Sequence, residues 1–175
     1  MTDTISINRA PVLTLWGAVV AARMGFAWEE ALTLGRAVAG LNAQAKGRRL
    51  GIFKPAEVEP GKPRKKHGLG EEFWVEVAGR AVPAKNTEHG VRAVVGDEPI
   101  DPAAVDKYLR GKFGDDYDAA RSAMEALAAS YEPTDLASSA YSLYERFRPK
   151  IESGKRGWGQ KGTLDLKFIR LLARP

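Results

Sequence analysis

The feature that most constrains this chain is the spacing of apolar residues over the first 46 positions, which is helical twice over with one glycine break between. Asn8 to Ala10 followed by Pro11 reads as a helix start, because proline is tolerated in a first turn whose N–H groups have no intrahelical partner. The helix is expected to run to about Met24 and to stop at Gly25. Val12, Leu13, Leu15, Trp16, Val19, Val20 and Met24 cover more than one stripe of it, so burial around most of its circumference is expected. From Trp28 to Lys46, Ala31, Leu34, Val38, Leu41 and Ala45 recur at steps of three and four, a narrow seam suited to helix–helix packing. Gly35 and Gly40 interrupt that helix at about 1 kcal/mol each relative to alanine. A close backbone approach by the first helix would justify them. Residues 1–46 therefore read as a helical hairpin.

Residues 47–70 hold five of the eighteen glycines, three of the ten prolines and the run Lys62-Pro63-Arg64-Lys65-Lys66, and read as an extended connection. Within it, Leu50, Ile52 and Phe53 suit a short strand or an anchoring contact. In residues 71–175, Phe73, Val75 and Val77 alternate with Glu72, Trp74 and Glu76, and Arg80–Pro83 is expected to pair back across Gly79. One small hairpin is the β content this predicts. Asp101-Pro102 caps and opens a helix that carries Val105, Tyr108, Leu109 and Phe113 and stops at Gly114. Further helices are expected over Asp116–Tyr131, Thr134–Arg148 and Leu164–Leu172, the last capped by Thr163 or Asp165. The fold class is mainly α: one compact helical domain with a small β-hairpin in the middle and a Gly-rich basic C-terminal segment.

At 175 residues and 44% apolar composition the chain is long enough for one sizeable core, which excludes global disorder. No run of about eighteen apolar residues occurs, and Met1–Ala10 has neither a basic start nor an apolar stretch. No membrane partner is expected, and the localisation this suggests is cytoplasmic. The absence of cysteine excludes disulfides, thiolate nucleophiles and Cys-ligated zinc. Two histidines remain, His67 beside Lys66 and His89 after Glu88, at no metal-binding spacing. Asp115, Asp116 and Asp118 sit at a helix start, where the helix dipole accounts for them. Asp97, Glu98 and Asp101 lack the ligand number and spacing of a calcium loop. With no G-x-S-x-G elbow either, no catalytic residue, metal site or cofactor is expected, and an enzyme is the less favoured class.

Charge is segregated along the chain. Residues 1–45 are neutral, 46–66 carry +6, 67–145 carry −8 and 146–175 carry +7, for a net +5. Separated basic blocks of this kind suit phosphate binding if they converge in space, and suit nothing if the acidic middle neutralises them. The first block offers Lys46, Arg48, Arg49, Lys54, Lys62, Arg64, Lys65 and Lys66 on a basic arm beside Phe53. The second offers Lys155, Arg156 and Lys161 around Trp158, whose indole suits stacking on a base. Gly157, Gly159 and Gly162 formally match G-x-G-x-x-G, but only thirteen residues follow, too few for a dinucleotide-binding unit. There is no P-loop.

The first two helices also have the spacing of a helix-turn-helix, with Ala21 and Gly25 at the turn and Val20, Met24, Phe26, Ala31 and Leu34 at buried positions. Glu29 and Glu30 at the end that would enter the major groove argue for an ordinary helical hairpin instead. The resulting expectation is weak, salt-dependent binding of DNA or RNA through the basic loops, without sequence preference. Six phosphate contacts on duplex DNA would give a log–log salt slope on the order of −5. The alternative is an assembly module, in which the seam Ala31, Leu34, Val38 and Leu41 packs against a partner or a second copy to form a homo-oligomer.

Overall fold

The computed structural model describes residues 4–48, 72–95, 98–150 and 161–173, with the backbone alone from 42 to 48. β1 (Thr4–Asn8) leads directly into α1 (Arg9–Arg23), and α2 (Trp28–Arg48) folds back against α1. Every residue from Pro11 to Ala21 is buried, as the wide apolar surface of α1 requires. Its end is closed by two returning bonds, Phe26 N–H to the Ala21 carbonyl and Gly25 N–H to the Ala22 carbonyl. That closure places Gly25 at φ +113°, a conformation open to glycine, and buries Phe26 just beyond it. At the crossing, a Cβ on Gly17 would lie 2.9 Å from the Gly35 Cα, and one on Gly35 would lie 2.6 Å from the Ala18 amide nitrogen and closer still to the Thr14 carbonyl. The close approach expected at Gly35 is therefore present. Gly40 has no such neighbour, since a Cβ there would meet only the Arg36 guanidinium of its own helix at 3.6 Å.

The seam on α2 is filled from within the chain. Ala31, Leu34 and Val38 are wholly buried, and Leu41 packs partly buried against the same core. These positions of the proposed assembly seam are thus packed into the chain's own core, and α1 is the main neighbour of α2. The helix also outruns the expected boundary: Gly47 and Arg48 belong to α2, so the basic connection does not begin at residue 47.

The β content exceeds one small hairpin. β2 (Glu72–Val77), β3 (Arg80–Thr87), β4 (Gly90–Val95) and β5 (Glu98–Pro99) form an antiparallel sheet in sequence order. The β2–β3 turn uses Ala78 at φ 47° and Gly79 at φ 78°, the doubly positive backbone whose twist suits a two-residue hairpin. β3 carries Pro83 without losing a ladder bond to β4, because β3–β4 pairing begins at Ala84↔Ala93. β4 is buried on successive residues from Val91 to Val94, so it lacks the alternation that marks a half-buried strand. A second sheet joins the two ends of the described chain: β1 pairs antiparallel with β6 (Lys161–Asp165), from Thr4↔Asp165 to Asn8↔Lys161.

The C-terminal half is helical as expected. α3 (Pro102–Phe113) is capped by the Asp101 carboxylate, which accepts from the Ala103 N–H at 3.0 Å. After a short 3₁₀ turn come α4 (Tyr117–Ala129) and α5 (Pro133–Phe147). The last helix, α6 (Leu166–Leu172), starts later than expected because residues 161–165 are strand; Asp165 caps it. Arg23 of α1 reaches the end of α4, donating to the carbonyls of Ala128, in its last turn, and of Tyr131 just beyond it. Trp16 ties α1 to α5 through its indole N–H, 2.9 Å from the Ala140 carbonyl, with its ring edge-on to Phe147. The molecule is mainly helical, with two antiparallel sheets, one of two strands and one of four.

α2 also closes the open edge of β4. Glu30 accepts from the Ala27 N–H at 2.9 Å with one carboxylate oxygen and from the Val91 N–H at 2.8 Å with the other. One turn on, the Thr33 hydroxyl donates to the Glu30 carbonyl and accepts from the Ala93 N–H. Two strand-edge amides that would otherwise be buried without partners are satisfied by helix side chains.

Candidate nucleic-acid interface

Most of the expected binding residues lie outside the described part of the chain. This holds for Arg49, Lys54, Lys62, Arg64, Lys65, Lys66, Lys155, Arg156 and Trp158, as it does for Phe53 and His67. Lys46 and Arg48 are placed in the last turns of α2 by their backbone. Lys161 is described fully: it is exposed and opens β6.

Around Lys161 the fold assembles cations that are distant in sequence. Lys161 lies opposite Asn8 in the β1–β6 register, one residue from Arg9. On the other edge of β6, Lys150 forms a bridge to Thr163, with both backbone bonds at 3.1 Å. Residues directly opposite in an antiparallel pair project from the same face, and so do residues two apart in one strand. Lys150, Thr163 and Lys161 therefore share one exposed face, with the two lysines as diagonal neighbours. Arg9 secures the same corner: its Nε donates to the Pro149 carbonyl at 3.0 Å, beside Arg148 at the end of α5. Thus the start of α1, the end of α5 and the start of β6 bring Arg9, Arg148, Lys150 and Lys161 to one corner, at the root of the Gly-rich segment.

The electrostatics of this corner differ from those elsewhere. Ion pairs between described residues hold Arg92 to Glu29, Arg110 to Asp106 and Arg121 to Glu125, and none engages Arg9, Arg148, Lys150 or Lys161. Partial burial, and then the like charge of Arg148, hold the Arg9 guanidinium below its ordinary pKa. Some of this placement serves α5, whose C-terminal dipole favours cations such as Arg146. Lys161 opens β6, where no such dipole accounts for it.

Beside the corner is an aromatic wall on α5. Tyr141 and Tyr144 have ring centroids 5.6 Å apart, Tyr144 and Phe147 6.1 Å, and the Arg80 guanidinium lies 4.8 Å from the Tyr141 ring centre. Burial pushes the Tyr144 phenol well above its usual pKa, so it is a proton donor at any physiological pH.

Sequence reasoning missed Arg9, Arg148 and Lys150 as site members. Arg148 and Lys150 fall in the second basic block and were legible as charge. Arg9 sits in a neutral stretch, and its tertiary bond to the Pro149 carbonyl places it there. The helix-turn-helix comparison loses its recognition end, since Glu30 in the first turn of α2 is bonded to β4. His89 is exposed in the β3–β4 turn. Among the described residues no group of three or more acids and histidines is arranged to hold a metal, and no helix is long and apolar enough to cross a membrane. The chain matches no protein-family model, no curated protein and no solved structure.

Proposed function

We propose that the protein binds DNA or RNA through the phosphate backbone, without sequence preference, at the corner where β1, α5 and β6 meet. The observation that supports this is the convergence of Arg9, Arg148, Lys150 and Lys161 from three elements, with no ion pair between described residues engaging them. Like charges gathered together raise the energy of the free protein, and a polyanion relieves it. Lys155, Arg156 and Trp158 belong to the segment joining Lys150 to Lys161, and in this reading they extend the surface: the cations toward phosphates, the indole toward a base. The arm from Lys46 to Lys66 is a second contact in the same reading.

Fluorescence anisotropy with duplex and single-stranded probes across a salt series tests it. Wild-type affinity is expected to fall steeply with salt for both probes. The double substitution Lys150→Gln and Lys161→Gln changes two exposed residues and should reduce the slope on duplex DNA by about 1.8, near 0.9 per lost phosphate contact. Wild-type protein that fails to bind either probe at low salt, or a double variant with an unchanged slope, removes the interface from this corner.

A further inference from the structure

The β1–β6 sheet at the cationic corner has two unlike sides. Ile5 and Ile7 of β1 and Leu164 of β6 are buried on its inner side, which fixes the register, since a slip of one residue would turn them to water. Ser6, Lys161 and Thr163 are thereby turned outward, and all three are exposed. Thr163 has an exposed neighbour directly opposite on each side, Ser6 on β1 and Lys150 across the bridge, so Ser6, Thr163 and Lys150 form one row. Both backbone groups of Thr163 are bonded to Lys150. Its pairing with Ser6 is therefore of the non-hydrogen-bonded kind, in which Cα atoms lie about 4.5 Å apart and the side chains are closer. Two hydroxyls thus stand side by side on the surface, with Lys150 next in the row and Lys161 two residues before Thr163. Elsewhere Thr14, Thr33, Thr87, Ser130 and Ser138 direct their hydroxyls to carbonyls of their own chain, whereas among the described residues no such bond occupies Ser6 or Thr163. Asp165 shares the outer side, but its carboxylate turns to α6, accepting from the Lys167 and Phe168 N–H groups.

We infer that Ser6 and Thr163 are the hydrogen-bonding contact of the interface proposed above, and donate side by side to the phosphate backbone of the nucleic acid that the lysines attract. The inference rests on that reading. Serine and threonine hydroxyls are regular donors to phosphate oxygens, and such contacts set the position of a backbone without reading its bases. A lysine is a point charge on a flexible stem, so it neutralises a phosphate without fixing its place. A short hydroxyl side chain on a strand paired on both sides is held far more firmly, and the branched Thr163 is stiff at χ1. Charge complementarity commits this side to a polyanion. The row Ser6, Thr163 and Lys150 carries no aromatic or apolar side chain on which bases could stack, so the backbone is what it meets.

The anisotropy salt series on the full chain, with the same duplex and single-stranded probes, tests this. Ser6→Ala combined with Thr163→Val should weaken binding to both probes about tenfold, the loss expected for two hydrogen bonds of ordinary net strength. Neutral donors release no counterions, so the log–log salt slope should stay that of the wild type, unlike the slope of the lysine double variant. Both positions are exposed, and valine keeps the branched shape that suits a strand, so the melting temperature should not change. Thr163→Ser alone keeps the hydroxyl and should bind as the wild type does. If the Ser6 and Thr163 double variant binds both probes as tightly as wild type, or weakens only together with a lower melting temperature, the hydroxyl contact is overturned. A slope still sensitive to Lys150 and Lys161 then keeps the interface without it. Wild-type protein that binds neither probe at low salt removes both.

Discussion

The middle of α1 and its start are built on opposite terms. Where α1 crosses α2, backbones touch at Gly17 and Gly35 and the surrounding side chains are apolar. The polar groups there are matched as well: the Thr14 hydroxyl donates to the Ala10 carbonyl, and Thr33 bonds both Glu30 and Ala93. Where α1 begins, Arg9 and Arg148 repel each other, two lysines share a face, and a buried hydroxyl lacks an acceptor. Packing alone explains the residue types at the crossing. It does not explain them at the corner, where an apolar or oppositely charged choice would make a more stable protein.

That contrast is breakable by substitution, and the crossing should give the largest effects. Gly35→Ala forces a methyl into the Ala18 and Thr14 backbone, and an expected loss of about 3 kcal/mol outweighs the gain of about 1 kcal/mol in helix propensity. Urea denaturation measures it; a variant as stable as wild type would show that the crossing is looser than its geometry. Next in size, Thr33→Val removes the acceptor of the Ala93 N–H at a cost of about 1–2 kcal/mol, with faster amide exchange at Ala93 as its local signature.

At the corner the expected effect depends on pH. Burial raises the Tyr144 phenol in the folded protein, so above about pH 10 the unfolded chain releases a proton that the folded one keeps. Tyr144 thus contributes stability that is complete below that pH and declines above it, by at most about 1.4 kcal/mol per pH unit. Tyr108 and Tyr117, also raised by burial, act in the same sense. Tyr144→Phe should flatten the alkaline fall in melting temperature, and a fall unchanged by it would mean that the phenol ionises in the folded state. Smallest of all, Gly40→Ala meets no backbone and should stabilise by up to about 1 kcal/mol, which sharpens the contrast with Gly35 in the same helix.

Much of the helical framework was legible in the chain because its signals are local. Pro11, Gly25, Asp101-Pro102 and Gly114 punctuate helices at positions the structure uses, and the seam on α2 named its own buried residues. The sheets were less legible for identifiable reasons. β4 is buried on both faces and shows no alternation, β3 contains Pro83 and Asn86, and Ile5 and Ile7 alternate in β1 over too few residues to announce a strand without β6 beside them. The basic blocks were visible as composition. Which cations meet was not.

Sequence by itself determined where helices start and stop and which of their faces must leave water, because capping, glycine geometry and apolar period act within a few residues of one another. Tertiary structure alone decided that Asn8 lies opposite Lys161, that Lys150 faces Thr163, and that Arg9 reaches Pro149. The partners of those pairs lie from about a dozen to well over a hundred positions apart in the chain. Coulomb forces between charges depend on distance through space, and the packing of α1 on α5, with the bond from Arg9 to the Pro149 carbonyl, sets that distance for Arg9 and Arg148.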